Sequence, residues 1–264
     1  TRSLCDWSSD VCSSDLSTSF HSLLSSSCTL LRAPSACFAT NAAATSTDSP
    51  APSIAIVGSG ASGLFTAKYL LQELPGAKIT ILDRLPTPHG LIRYGVAADH
   101  PEAKVVTADL DKAVLSHPNV TFVPNVAVTA PPVTTSFPLA SNETVTAVPL
   151  ADLRAQHDAV VLAVGAESSK RLNLPGEDTP GVWDAREFVG WYNGHPDYAH
   201  LDFHLDETTD VVILGNGNVA LDVARILLKP AAALADTTLA PHAYAALETS
   251  AVQRITVAAR YVYI

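Results

Sequence analysis

Two glycine-rich turns, each set between an apolar strand and a helix, constrain this chain more than any other feature. The first, Gly58-Ser59-Gly60-Ala61-Ser62-Gly63, follows Ser53-Ile54-Ala55-Ile56-Val57. The second, Gly215-Asn216-Gly217-Asn218-Val219-Ala220, follows Val211-Val212-Ile213-Leu214. In such a turn one glycine makes the tight bend and one lets the backbone approach a pyrophosphate. A third small residue lets the helix pack on its strand. A single match is common in loops, but here each sits in the strand–turn–helix context that the chemistry needs. The chain reads as α/β, with two Rossmann-like, doubly wound dinucleotide-binding domains.

The two turns lead into different sequence. Ala61–Leu74 has a helical pattern stopped by Pro75-Gly76, and Lys78–Leu82 reads as the next parallel strand. It ends at Asp83, about 20 residues beyond Gly63, where an acid accepts hydrogen bonds from an unphosphorylated ribose such as the adenosine of FAD. After the second turn come a helix over Val219–Leu228, a long Ala-rich connection and a strand over Arg254–Ala258. No acid follows that strand, and Arg260 favours a 2′-phosphate, hence NADP over NAD. An exposed arginine at a strand end can also be merely solvated.

Between these units the sequence predicts a loop over Arg84–His100, a helix over Pro101–Ser116 and a strand pair or long irregular strand over Val120–Val128. Thr129–Thr144, with three prolines, reads as a surface insertion. Its Asn142-Glu143-Thr144 sequon is a chance-level match. Ala159–Val164 is a further apolar strand, turned by Gly165-Ala166-Glu167.

A net charge of −10 argues against a nucleic-acid partner. No apolar run reaches the roughly 20 residues of a membrane span. The four cysteines, Cys5, Cys12, Cys28 and Cys37, all precede the first strand, which excludes a thiolate metal site or a Cys-x-x-Cys centre from the folded part. Redox chemistry there requires a bound cofactor. The sequence contains no methionine. Residues 1–16 carry a near-repeat, Cys5-Asp6-Trp7-Ser8-Ser9-Asp10 and Val11-Cys12-Ser13-Ser14-Asp15-Leu16, that looks like translated adaptor sequence. Residues 17–49 are rich in Ser, Ala and Thr, with Arg32 and no acid before Asp48. They read as a disordered tail resembling a mitochondrial transit peptide, or as one with no address.

Four longer strings carry a resemblance. They are Gly90-Leu91-Ile92-Arg93-Tyr94-Gly95-Val96-Ala97-Ala98-Asp99-His100-Pro101-Glu102, Leu174-Pro175-Gly176-Glu177, Phe188-Val189-Gly190-Trp191-Tyr192-Asn193-Gly194, and Gly215 through Leu228. In order and spacing, residues 53–260 resemble the adrenodoxin reductase family, mitochondrial NADPH:ferredoxin oxidoreductases. The resemblance implies an FAD domain over 50–167 and an NADPH domain over 168–264. It implies electrons passing from NADPH through FAD to a 2Fe–2S ferredoxin, and a location in the matrix or at the inner-membrane periphery.

By resemblance, Gly58, Gly60, Ser62 and Gly63 cradle the FAD pyrophosphate. Asp83 holds the ribose, where the family more often has Glu. Leu91 packs near the flavin and Val128 offers backbone contacts. Gly215, Asn216, Gly217, Asn218 and Val219 receive the NADPH pyrophosphate, with Arg260 on the 2′-phosphate. His100 and Asp222 form a polar pair beside the flavin. Read alone, His100 is an ordinary loop residue and Asp222 a helix-surface carboxylate.

The sequence also departs from the family. Ala259 stands where one of two paired arginines is expected, and Tyr261-Val262-Tyr263-Ile264 diverges. Family members run longer, so the second domain reads as truncated, without the portion expected to dock ferredoxin. Two alternatives stay open: a non-catalytic nucleotide-binding fragment, or a related NADPH-dependent flavoprotein with another acceptor. In the second class, glutamate synthase small subunits carry iron–sulfur cysteines that are not seen here.

Overall fold

Four apolar stretches form the first sheet, and its two central strands are largely buried, the usual state of parallel strands under helical cover. The computed structural model describes residues 50–130, 145–166, 169 and 171–259; the N-terminal tail, the body of the insertion with its sequon, and Arg260 lie outside the described residues. Strand β1 (Ser53–Val57) lies between β2 (Lys78–Leu82) and a late strand, Ala159–Leu162, and β2 pairs outward with β3 (Val120–Val123). All three pairings are parallel, with Val57 opposite both Leu82 and Leu162.

Helix α1 (Ala61–Glu73) buries Gly63, Leu64, Ala67 and Leu71 on one face of this sheet. Beside it lie Leu110 and Val114 from the stretch expected as one helix over Pro101–Ser116. That stretch is helical but changes pitch. A 3₁₀ turn at Pro101–Lys104 follows the short helix α2 (Leu91–Tyr94), then comes α3 (Val106–Leu110), and a π turn at Asp111–Leu115 ends it. Periodicity marks a helical face but does not resolve 3.0 from 4.4 residues per turn over so short a run.

The opposite face is covered by β4 (Val126–Thr129), β5 (Thr146–Pro149) and α4 (Leu150–Gln156), whose Leu153 packs on Ala55, Val57 and Leu82. The strand pair expected over Val120–Val128 is therefore β3 and β4. Thr129, read as the start of the insertion, closes β4. The late strand Ala159–Leu162 is β6.

The second glycine turn belongs to a separate two-stranded parallel sheet, β7 (Asp210–Leu214) with β8 (Arg254–Ala258). Its core is aromatic. Helix α5 (Ala185–Tyr192) contributes Phe188, Trp191 and Tyr192, and Phe203 meets Phe188 edge-on at 5.1 Å. Helix α6 (Asn218–Leu228) adds Ala220, Val223, Ile226 and Leu227, and α7 (Pro241–Glu248) adds Ala243 and Leu247. Among the described residues only one face of this sheet is covered. Val212 on the other face is 64% exposed, with Leu214 beside it. No helix among the described residues is long and apolar enough to cross a membrane.

Polar contacts join the two halves. Arg84 pairs with Asp197 at 2.7 Å. Asn193 Nδ2 donates to the carbonyls of Tyr94 and Val96, while its Oδ1 accepts from Lys104 Nζ at 2.9 Å. Burial and the neighbouring Arg93 push the Lys104 ammonium down to about 8.

Candidate cofactor-binding site

At the first turn two of the three glycines are demanded by the surrounding backbone. Gly58 has φ of +104°, and a Cβ there would stand 2.3 Å from the Ala163 carbonyl oxygen. A Cβ on Gly63 would stand 1.9 Å from the Gly58 carbonyl oxygen. Gly60 is the N-cap of α1 and has space: its nearest neighbour, Gly90 Cα, would lie 4.0 Å from an added Cβ. No side chain caps this helix and its first turn holds no acid, so its leading N–H groups are left to an external acceptor. Ser62 is exposed on that first turn.

Asp83 does something the sequence did not indicate. Its Oδ2 accepts from the Ser59 N–H at 2.7 Å and the Ser59 hydroxyl at 2.6 Å, and its Oδ1 accepts from the Leu85 N–H at 2.9 Å. Because Val57 and Leu82 are in register, the turn after one strand meets the acid after the other. Asp83 thus braces the glycine turn. A carboxylate offers about four acceptor positions, so capacity remains for a ribose hydroxyl. Leu91 stands at the start of α2 and is 63% exposed, and Val128 is half-buried in β4, the strand whose first N–H, on Val126, donates to the Asp83 carbonyl.

The second turn has the same local plan in open surroundings. Gly215 has φ of +121°, and its N–H donates to the Ala258 carbonyl at 2.7 Å. Neither Gly215 nor Gly217 would bring a Cβ within 4 Å of anything. Gly217 is the N-cap of α6, again without a side-chain cap or an acid in the first turn. Asn216, Asn218 and Val219 are exposed around it. Arg260 lies outside the described residues.

His100 and Asp222 are not hydrogen-bonded to each other among the described residues. His100 Nδ1 lies 2.8 Å from Glu102 Oε1, and Asp222 accepts from Arg225 at 2.8 Å. Their elements are joined one residue away. Arg225 donates through Nε and Nη2 to both oxygens of Asp99, at 2.7 and 2.8 Å, and Lys229 adds a third contact at 2.7 Å. The Asp99 carboxylate is 3% exposed. The Arg225 hydrogen bonds, with help from Lys229, outweigh its desolvation and hold its pKa well below the usual carboxylate range. Arg225 therefore spans Asp99, next to His100, and Asp222 on its own helix. Its i,i+3 spacing from Asp222 was visible in the sequence; its partnership with Asp99 was not. Tyr192, buried in the same region, has its phenol pushed up by burial first and then by Asp222 and Asp99.

Fold and site together show two glycine turns, each leading into a helix N-terminus without a side-chain cap. The chain belongs to the pyridine nucleotide-disulphide oxidoreductase family, which matches residues 52–257. It is 46% identical over 202 residues to the mitochondrial NADPH:adrenodoxin oxidoreductase of Arabidopsis thaliana, covering 76% of this chain and 38% of that protein. It is 41% identical over 216 residues to the probable mitochondrial NADPH:adrenodoxin oxidoreductase of Schizosaccharomyces pombe, covering 81% and 42%. The structure of Mycobacterium tuberculosis FprA in complex with NADPH is similar with a TM-score of 0.69 and 40% identity, covering 78% of this chain and 43% of that one. The chain thus spans about two fifths of the length of the curated relatives it matches.

Proposed function

We propose that this chain carries the two cofactor-receiving turns of an adrenodoxin-reductase-type NADPH:ferredoxin oxidoreductase. Residues 50–167 form the FAD domain and 168–264 the NADPH domain. When bound, NADPH and FAD supply the hydride donor and the carrier that converts a two-electron input into single electrons for a 2Fe–2S ferredoxin. The protein's own part is positional. Gly58, Gly60 and Gly63 with Ser62 receive one pyrophosphate, and Asp83 fixes the turn and faces the ribose. Leu91 and Val128 bound the flavin side. Gly215, Asn216, Gly217, Asn218 and Val219 receive the second pyrophosphate, with Arg260 assigned to the 2′-phosphate. His100 and Asp222 are assigned to proton management beside the flavin, coupled through Asp99 and Arg225.

One observation carries this reading. Two helices in one chain begin at uncapped glycines with room in front of them, and free N–H groups with the helix dipole favour an anion there. The named relatives support the chemistry, and their mitochondrial names support a mitochondrial location; the matrix or the inner-membrane periphery is our own assignment. A non-catalytic nucleotide-binding role is favoured by a different observation, the uncovered apolar face of β7 and β8. The test is direct: load the purified chain with FAD, desalt it and record its visible spectrum, then add NADPH without oxygen. A retained flavin band that bleaches supports the reductase. A retained band that does not bleach supports the non-catalytic role, and a colourless protein removes both assignments to the first turn.

A further inference from the structure

The loop between β2 and α2 crosses the first glycine turn, and His89 within it has an unusual backbone. Its φ is 85°, in the left-handed region that favours glycine. Such a conformation persists in a bulky residue only where the surroundings over-determine it. Here they do. The imidazole is 1% exposed, and its Nε2 lies 2.9 Å from Asp111 Oδ1. Its Nδ1 lies 3.5 Å from Arg93 Nη2. Asp111 opens the π turn, a local irregularity of the sort that recurs at functional sites.

The backbone is equally engaged. The His89 N–H donates to the Ser59 carbonyl at 2.9 Å, inside the glycine turn, and the His89 carbonyl accepts from the Ile92 N–H at 2.9 Å. Gly90 follows so closely over the turn that a Cβ on it would stand 3.0 Å from Gly60 Cα. The side chain is therefore seated on one helical segment while the backbone is bonded to the head of another. Burial lowers the imidazole pKa against the pull of Asp111, with Arg93 lowering it further, so the ring is neutral at pH 7.5.

We propose that His89 is a positioning residue for the cofactor pyrophosphate. Seated against Asp111, its ring holds its own backbone left-handed, and the N–H so aimed fixes the Ser59–Gly60 peptide at the start of α1. The assignment rests on the reading of the first turn as the FAD site.

The test uses the full chain at pH 7.5, with FAD titrated by flavin fluorescence and amide exchange followed on the FAD-free chain in peptides covering 58–64 and 88–95. His89→Leu keeps bulk at the left-handed position but removes the anchor, whereas His89→Gly removes the anchor and the strain together. His89→Leu is expected to weaken FAD about tenfold and to speed exchange in both peptides. His89→Gly is expected to do less harm, and Asp111→Ala to move both readouts in the direction of His89→Leu. Should His89→Leu not fold, Asp111→Ala carries the test, because that side chain is half exposed. If His89 only fills space, the order inverts, since leucine is then tolerated and glycine leaves a void. That order, or wild-type affinity and exchange in both His89→Leu and Asp111→Ala, overturns the proposal. If the wild-type chain takes up no FAD while His89→Leu still loosens the turn more than His89→Gly, the FAD reading fails and the hold of His89 on the turn is supported.

Discussion

The two glycine turns share a local plan and differ in what encloses them. Around the first, the Ala163 and Gly58 carbonyls crowd in until glycine is the only residue that fits at two positions, and the Asp83 carboxylate holds Ser59 between them. Around the second, only the φ of Gly215 demands glycine, and nothing approaches Gly217. The lesson is that one motif answers to two constraints. In the first turn glycine is required by the fold before any ligand arrives; in the second, Gly217 is left to the ligand alone.

The strongest way to break that contrast is Gly63→Ala. Its Cβ would occupy the space of the Gly58 carbonyl, so we expect loss of FAD retention and a stability loss of several kcal/mol, on the order of 4, read by thermal melting. A Gly63→Ala chain that melts like wild type would show the first turn to be looser than its close contacts imply. Next in size is the join between the halves. Asp99→Asn leaves Arg225 and Lys229 facing an uncharged amide at a nearly buried position, and should cost about 3 kcal/mol in denaturant titration. A loss below about 0.5 kcal/mol would mean that α6 does not depend on the first half.

The pH dependence comes from His195, which packs edge-on to Tyr94 at the same join. Burial, opposed by Asp197 and aided by Arg84 and Arg186, pushes its imidazole down to about 4. A depressed base binds fewer protons folded than unfolded, so its contribution is complete above about 6.5. It falls as pH drops from about 6.5 towards about 4, and is constant below. The loss should be on the order of 2 kcal/mol across that window and should flatten in His195→Gln, compared by melts at pH 7.5 and 4.5. Smaller again is Ser59→Ala, which removes one of two bonds to Asp83 and should cost about 1 kcal/mol. The smallest expected effect on the fold is that of Gly217→Ala, with a midpoint within about 0.5 kcal/mol of wild type and NADPH binding weakened roughly tenfold. If Gly217→Ala destabilises the fold as Gly63→Ala does, the two turns are not different in kind.

Much of the fold was legible in sequence order. The strands Ser53–Val57, Lys78–Leu82 and Arg254–Ala258 have in the structure the bounds expected from sequence, because parallel strands are short apolar runs between turn signals. The helical stretch after Pro101 was legible, but its changes of pitch were not, since they depend on what each turn packs against. Asp83 was legible as an acid at a strand end, while its bonds to Ser59 needed the strand register. Arg225 and Asp99 lie far apart in sequence and carry no local signature of each other. His89 lies within the loop expected over Arg84–His100 but carries no mark of its own there, because positive φ is not written in a histidine.

By itself, then, the sequence determined that this chain has two strand–turn–helix units of the dinucleotide type and that no cysteine lies beyond Cys37. Local backbone chemistry suffices for both, since glycine spacing and apolar runs act over a few residues. Only the tertiary structure decided that the first turn is clamped by Asp83 and His89, that the second stands open, and that Asp99 ties the two halves together. Those outcomes depend on which distant groups are brought within hydrogen-bonding range and removed from water, and that is set by packing across the whole chain.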